Sequence, residues 1–195
     1  MSYWRNQVVV LRAFEESDAA FFYETLNRYD MQYGNCDIRF PSSMKSAENI
    51  VAGCAERDNR EVDNQFMVIE DLAHNAVGMI DTHNCDTKTG YFEYGISILP
   101  QYRRKGYATN AIRLLLKFMF EECRFEKANA MIYSFNGESA ALHEKMGFIK
   151  EGIIRRNVYT GGVYYDTIVY GMTRQEYLDL AGRNNNLSGW TPDYT

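Results

Sequence analysis

Long apolar runs are missing from this chain. No stretch approaches the roughly 20 residues needed to cross a bilayer, and the N-terminal MSYWRNQ has no signal-peptide core. These absences exclude a membrane-spanning helix and an export signal, and predict a soluble, cytoplasmic protein with no membrane partner. Basic charge is also short: 21 Lys and Arg stand against 26 Asp and Glu, a formal charge of −5. Nothing is left over to neutralise many phosphates, which argues against nucleic acid as a partner. Cysteine is sparse and scattered. Cys36, Cys54, Cys85 and Cys123 form no CxxC pair and have no histidine in metal-ligand register, so they read as reduced thiols with no metal to hold. There is no internal repeat and no low-complexity block.

What the chain does have is core material. With 195 residues, 46% of them hydrophobic and 14% aromatic, it can bury one proper core. Turn-rich NNNLSGWTPDYT marks residues 184–195 as a tail, leaving 1–183 as a single domain. QVVVL, residues 7–11, reads as a strand, followed by a helix capped by Ser17 or Asp18 that carries Phe21, Phe22, Thr25 and Leu26. Gly34, Asn35 and Pro41 mark 30–44 as an irregular loop, and Ser46 opens a second helix to about Asp58. Three strands follow at 66–71, 77–84 and 90–99, in the simplest reading an antiparallel meander.

A helix over about 109–123 comes next, with Arg113, Lys117 and Glu121 on one solvated stripe and Leu114, Leu115 and Phe118 opposite. A strand at 128–135, a short helix at 138–146 closed by Gly147, and a hairpin of 153–159 and 163–172 around TGG complete the domain. The fold class is α/β, a mixed and mostly antiparallel sheet with helices on both faces. The strands flanking the 109–123 helix are expected to be parallel, because a crossover helix returns the chain in the same direction.

One junction carries chemistry. In LPQYRRKGYATNAIRLLL, residues 99–116, a strand ends and a helix begins at RRKGYAT. The first free N–H groups of a helix carry the positive end of its dipole, so this is an anion site. Gly106 lets the backbone approach a bulky ligand, Ala108 keeps that approach open, and Arg103, Arg104 and Lys105 add charge for further phosphates. A solvated basic turn would look the same in isolation.

Further residues narrow the choice. Arg103-Arg104-Lys105-Gly106-Tyr107-Ala108 resembles the Q/R-x-x-G-x-G/A loop of the GNAT superfamily of acyl-CoA-dependent N-acyltransferases. About thirty residues on, Asn136, Ser139, Leu142, Lys145, Gly147 and Phe148 keep the register of the family's N-x-x-S/A-x-x-L stretch and its later G-F. VVLRAFEESDA near the start and EGIIRRNVYTGGVYYDTIVYGMTRQEY near the end resemble the RimJ/RimL-type branch, which includes ribosomal-protein N-terminal acetyltransferases. The resemblance spans about residues 7–178.

It implies a sheet whose fourth and fifth strands splay apart around acetyl-CoA as cosubstrate. Ile96, Ser97 and Ile98 would offer backbone groups to the pantetheine arm, the N–H of Ile98 would serve the developing oxyanion, and the N–H groups from Arg104 through Gly106, Tyr107 and Ala108 to Thr109 would hold the pyrophosphate. Asn136 and Ser139 would reach the arm near the thioester. A homodimer through the closing strands is implied by the same analogy.

The chemistry asks for a base, because an alkyl amine with a pKa near about 10.4 is mostly protonated at pH 7, and for an acid to help the departing thiolate. Glu93 is the expected base, acting through water; an exposed strand carboxylate is the alternative. Where relatives carry a tyrosine after the Leu142 position this chain has His143, expected to donate as an imidazolium if it is not merely a surface histidine. Ser139 and Tyr133 are reserve donors. His74 belongs to a turn, and His83 receives no role. Phe14, Phe21, Phe22, Tyr23 and Tyr29 suit a core or an acceptor-cleft wall, and Arg155 and Arg156 either brace the last hairpin or line the acceptor mouth. The predicted activity is N-acetyl transfer to a primary amine, a protein N-terminus first and a small amine second, by direct attack in a ternary complex. A non-catalytic acyl-CoA-binding module is the rival.

Overall fold

The computed structural model describes residues 2–185. Its seven strands form one sheet in the order β1-β2-β3-β4-β5-β7-β6. β1 (Val9–Ala13), β2 (Phe66–Asp71), β3 (Ala76–Asp86) and β4 (Tyr91–Ile98) pair antiparallel in succession. β5 (Lys127–Tyr133) then runs parallel to β4, as a crossover through α4 (Tyr107–Lys117) requires. The parallel register covers only Tyr91↔Lys127, Phe92↔Ala128 and Glu93↔Asn129. Beyond it β5 stays paired along its length with β7 (Val163–Thr173), while β4 leans towards β3, so the sheet opens into a V. β6 (Ile149–Thr160) closes the far edge against β7.

The period of two along the strands divides the core. Ile69 and Ile80 face α4, whose Ala111, Ile112, Leu114, Leu115 and Leu116 are buried. Neighbouring Val68 faces the opposite way, onto Phe14, Phe22 and Val51, and so onto α1 (Ala19–Asn27) and α3 (Met44–Ala55). Helices thus cover both faces of a mixed sheet, as the pattern predicts. Across the α1 side of the sheet, Arg12 donates from Nη1 and Nη2 to the buried Asp18 at 2.7 and 2.8 Å and from Nε to the buried Glu70 at 2.5 Å.

Several boundaries differ from expectation. Within the expected loop 30–44 lies a short helix, α2 (Tyr29–Gly34), because Gly34 and Asn35 end a helix there. Ser43, three residues before Ser46, caps α3: its Oγ accepts from the Ser46 N–H at 3.1 Å. Asp18 occupies the N-cap position of α1 but spends its carboxylate on Arg12 and the Glu15 N–H. After α4 the chain widens into a π turn (Phe118–Glu122), which takes Glu121 off the solvated stripe and lets it accept from the Tyr177 hydroxyl at 2.7 Å.

β6 begins at Ile149, four residues before the expected 153, and its register against β7 shifts between Lys150 and Gly152 and between Ile154 and Val158, which breaks its alternation. A sixth helix, α6 (Arg174–Asn185), follows α5 (Gly137–Lys145) and β7 without any sequence signal having announced it; the expected tail from 184 otherwise lies outside the described residues. All four cysteines are free, and among the described residues no helix is long and apolar enough to cross a membrane.

Candidate functional site

Where β4 and β5 part, a cavity of about 960 Å³ opens between them. That is the upper part of the range for small-molecule sites, enough for a cofactor arm and a second substrate. Its walls come from β4, β5, the β4–α4 loop, the first turns of α5, and α2. Every expected cofactor residue lines it except Lys105, whose ammonium instead lies 5.4 Å over the Tyr102 ring.

The loop has a definite shape. Arg104 (φ 62°) and Gly106 (φ 83°) are both left-handed, and Gly106 is the N-cap of α4. Alternating left-handed residues turn successive N–H groups to one side, forming an anion-binding concavity ahead of the helix dipole. Helix α4 therefore starts at Tyr107, two residues before the expected Thr109. Arg103 ties the loop to β4 and α2: its Nε donates to the Ile98 carbonyl at 3.1 Å and its Nη2 lies 3.8 Å from the Met31 sulfur. Just past the end of β4 the Leu99 N–H donates to the Val77 carbonyl at 2.9 Å. Since successive residues alternate, the N–H groups of Ile98 and Ile96 turn into the gap.

Helix α5 supplies the opposite wall. Asn136 is its N-cap, with Oδ1 accepting from the Ser139 N–H at 3.1 Å. His143 is not a surface histidine: it is 2% exposed, packed against Phe148 at 5.1 Å and Tyr94 at 5.8 Å between ring centroids. Its Nδ1 is 2.7 Å from the Ser139 carbonyl, which fixes the proton on Nδ1. Burial lowers its pKa against the opposing pull of that hydrogen bond, so the imidazolium expected of it is disfavoured and its Nε2 is an acceptor. That Nε2 has no hydrogen-bond partner among the described residues, and neither has the buried hydroxyl of Tyr94. Both residues line the cavity. Burial raises the Tyr94 pKa well above the ordinary tyrosine value and keeps its proton in place.

Two buried polar atoms left open at the throat of a cavity, beside a cradle of free N–H groups, fit the amide and thioester groups of an acyl-CoA arm. Tyr94 carries no sequence signal beyond sharing a face of β4 with Phe92.

The outer half of the cavity is aromatic. Tyr29 and Tyr33 stack at 5.7 Å, Tyr33 meets Phe135 at 4.8 Å, and Phe135 stacks on Tyr133 at 5.8 Å. The Tyr33 and Tyr165 hydroxyls are 3.1 Å apart, and that contact is the main reason the Tyr33 pKa is pushed up to about 12. Of the five aromatic residues expected in core or cleft wall, Phe14 and Phe22 belong to the core and Tyr29 to the wall. Arg155 and Arg156 do not line the cavity; Arg156 lies 4.6 Å over the Tyr164 ring and donates its N–H to Asp166.

Glu93 does not reach the cavity surface, whereas His83, opposite it on β3, does. Among the described residues no group of His, Cys, Asp and Glu could hold a metal ion.

A family model, the acetyltransferase (GNAT) domain, matches residues 9–149, and the chain belongs to this family. It is an acetyl-CoA-dependent acetyltransferase of the N-acetylating kind. The chain is 39% identical over 178 residues to the SPbeta prophage-derived uncharacterized N-acetyltransferase YokL of Bacillus subtilis, covering 91% of this chain and 96% of that one. It is 24% identical over 175 residues to a spermidine N(1)-acetyltransferase of Vibrio cholerae, covering 89% and 98%. The crystal structure of spermidine N-acetyltransferase from Vibrio cholerae in complex with CoA and spermine shares the fold, with a TM-score of 0.78 at 23% identity over 89% of this chain and 99% of that one.

Proposed function

We propose that this chain moves the acetyl group of acetyl-CoA to a primary amine, the N-terminus of a protein or peptide first and a small amine second, by direct attack while both substrates are bound. One observation carries the reading: a single cavity runs from the left-handed loop at Arg104 and Gly106, through the gap between β4 and β5, to the aromatic cleft. Acetyl-CoA brings an acyl carbon already activated as a thioester. The N–H groups of Arg104 to Thr109 take the pyrophosphate, those of Ile96 and Ile98 take the pantetheine amides and the developing negative charge, and Asn136 and Ser139 hold the α5 wall at the arm. Glu93 serves the base through its neighbour on β3.

The acid is reassigned. With His143 held neutral, Tyr94 is the donor that faces the gap, and Ser139 and Tyr133 remain in reserve. A Tyr94→Phe variant is expected to lose roughly 10²-fold in kcat, the lower end of general-acid contributions, with acetyl-CoA affinity retained. Calorimetry beside steady-state rates checks this; an unchanged rate moves the donor to Ser139 or Tyr133.

For the acceptor, the cleft offers rings more than free carboxylates. Of the carboxylates that line it, Asp30 is already paired with Arg28 at 3.1 Å, which leaves Glu138 on the first turn of α5 as a single acid rather than a series of them. A polyamine with several charges would call for unpaired acids, so a single amino group on a peptide suits this wall better. The RimJ/RimL-type motifs favour the same choice, and the spermidine-acetylating relative keeps small amines second. The test is thioester-dependent release of free thiol with a panel of peptides and small amines. Turnover with peptides bearing free N-termini supports the reading; binding of acetyl-CoA with no turnover anywhere would make the chain an acyl-CoA-binding module.

A homodimer through the closing strands belongs to the same reading, because Ile149, Ile153 and Ile154 on edge strand β6 are 53%, 51% and 42% exposed. Sedimentation equilibrium should give a dimer, and an Ile153→Glu variant a monomer; a wild-type monomer would remove it.

A further inference from the structure

The acetyl-transfer reading leaves open which atom takes the proton from the ammonium group. Glu93 was the expected base, but its carboxylate is set back from the cavity, 17% exposed at the side chain, and it is engaged by its neighbours. Asn84 donates to its Oε2 at 3.1 Å, and the Nε2 of His83 lies 3.6 Å from the same oxygen. His83 stands in front. Its side chain is 36% exposed and lines the cavity, and its Nδ1 is 2.8 Å from Asp81 Oδ2.

The backbone is arranged around this pair. Asp81 sits directly across from Gly95 of β4, and a Cβ at position 95 would lie 2.5 Å from Asp81 Oδ1. Only glycine opposite leaves the aspartate its place against the imidazole.

We propose that His83 is the proton acceptor of the reaction, with Asp81 as the positioning residue that holds its Nδ1–H and Glu93 as the second carboxylate that stabilises the charged ring. The Asp81 contact puts the proton of the neutral imidazole on Nδ1 and leaves the Nε2 lone pair for the amine. The N–H bond of the ammonium breaks and its proton goes to Nε2. The freed electron pair forms the C–N bond to the acetyl carbon, the C–S bond breaks, and the thiolate leaves with a proton from the donor side. His83 returns its proton to solvent, and one of the two protons left on nitrogen replaces the one given to sulfur while the other stays in the amide, so amine and thioester become amide and thiol.

The groups facing His83 are Asp81 on its own strand, Glu93 on β4 and Asp63 in the segment before β2. The hydrogen bond to Asp81 chiefly, then the charges of Asp81, Glu93 and Asp63, raise its pKa above the ordinary 6.5, against desolvation. The raised pKa makes the imidazole a stronger base than an ordinary histidine. Because only the neutral ring accepts, activity should fall as the pH falls through the raised value.

The test begins with the wild type. Failure of the wild type to turn over any amine would sink the acetyl-transfer reading itself; the arms below separate the role of His83 from it. With an amine that is turned over, His83→Gln, which keeps the size and a donor for Asp81, should lower kcat/KM at pH 7 by roughly 10²-fold or more and abolish the acid limb of the pH profile. Its acetyl-CoA affinity and melting temperature should stay at wild-type values. Asp81→Asn should fold and move the acid limb to lower pH, a shift that a merely structural role would not cause. A His83→Gln enzyme that keeps its rate and its acid limb overturns the proposal, as does a Glu93→Gln enzyme that loses the limb while His83→Gln retains it.

Discussion

A Gly106→Glu variant is expected to fold and to lose acetyl-CoA binding by more than about 100-fold, a loss of about 2.7 kcal/mol. Two effects combine. Gly106 has φ 83°, a region that costs an L-residue of order 1–2 kcal/mol, so the cradle no longer closes in its present form. The added carboxylate also lies beside the anion site, where like charges about 4 Å apart at a surface repel by about 4 kcal/mol before screening. The fold itself should survive, since a Cβ at 106 would meet only the Asn110 amide nitrogen, at 3.6 Å. Calorimetric titration beside a thermal melt checks both halves. Gly106→Ala, which carries the strain without the charge, should lose less. A folded Gly106→Glu protein that binds acetyl-CoA as the wild type does would show that the loop is not the pyrophosphate site.

Arg12→Met is expected to have the largest effect on stability. Arg12 bridges two buried carboxylates, Asp18 and Glu70, whose side chains are 6% and 10% exposed; the exposed His74 also reaches Glu70, Nδ1 to Oε2 at 3.3 Å. Removing one partner of a buried ion pair costs about 3–5 kcal/mol; the lower end applies here because Arg12 is itself 26% exposed. For a chain of this size that lowers Tm by roughly 10 °C. The pH dependence has a definite sign. Burial pushes the Asp18 carboxyl up, but hydrogen bonds from Arg12 and the Glu15 N–H outweigh it and hold the pKa below its ordinary 3.8. Its contribution is therefore complete above that ordinary value and is lost as the pH falls through the lowered folded value. Melting curves from pH 7 to pH 3 should show the gap between wild type and Arg12→Met narrowing in acid. A gap that is absent at pH 7 would mean that solvent satisfies both carboxylates.

The loop around Gly106 and the Asn136 turn are short, contiguous motifs, and contiguous motifs are where sequence reading succeeds. Each turn residue acts on its own neighbours, so RRKGYAT announces a strand end, a tight approach and a helix start without reference to the rest of the chain. The central strands were legible for a similar reason, from the runs 66–71 and 77–84 bounded by turn-rich LAHNA and CDTKT. Helix α2 was not, because Gly34 and Asn35 look alike whether they end a helix or belong to a loop. Nor was α6, where RQEYLDLAGRNN carries too few apolar residues to advertise a packed face, although Tyr177 is buried against Phe120.

By itself, then, the sequence determined the class of protein: a mixed α/β domain with an anion-binding loop between a strand and a helix, in the register of an acyl-CoA transferase. Only the tertiary structure decided the chemistry of the groups inside it. Packing against Tyr94 and Phe148 removes His143 from water, which lowers its pKa and disfavours the imidazolium expected of it. His83 gained two carboxylates because the β3–β4 register sets it opposite Glu93 and sets Asp81 opposite Gly95. A residue's local signal travels a few positions along the chain, whereas its pKa and its partners depend on what the sheet brings across from elsewhere.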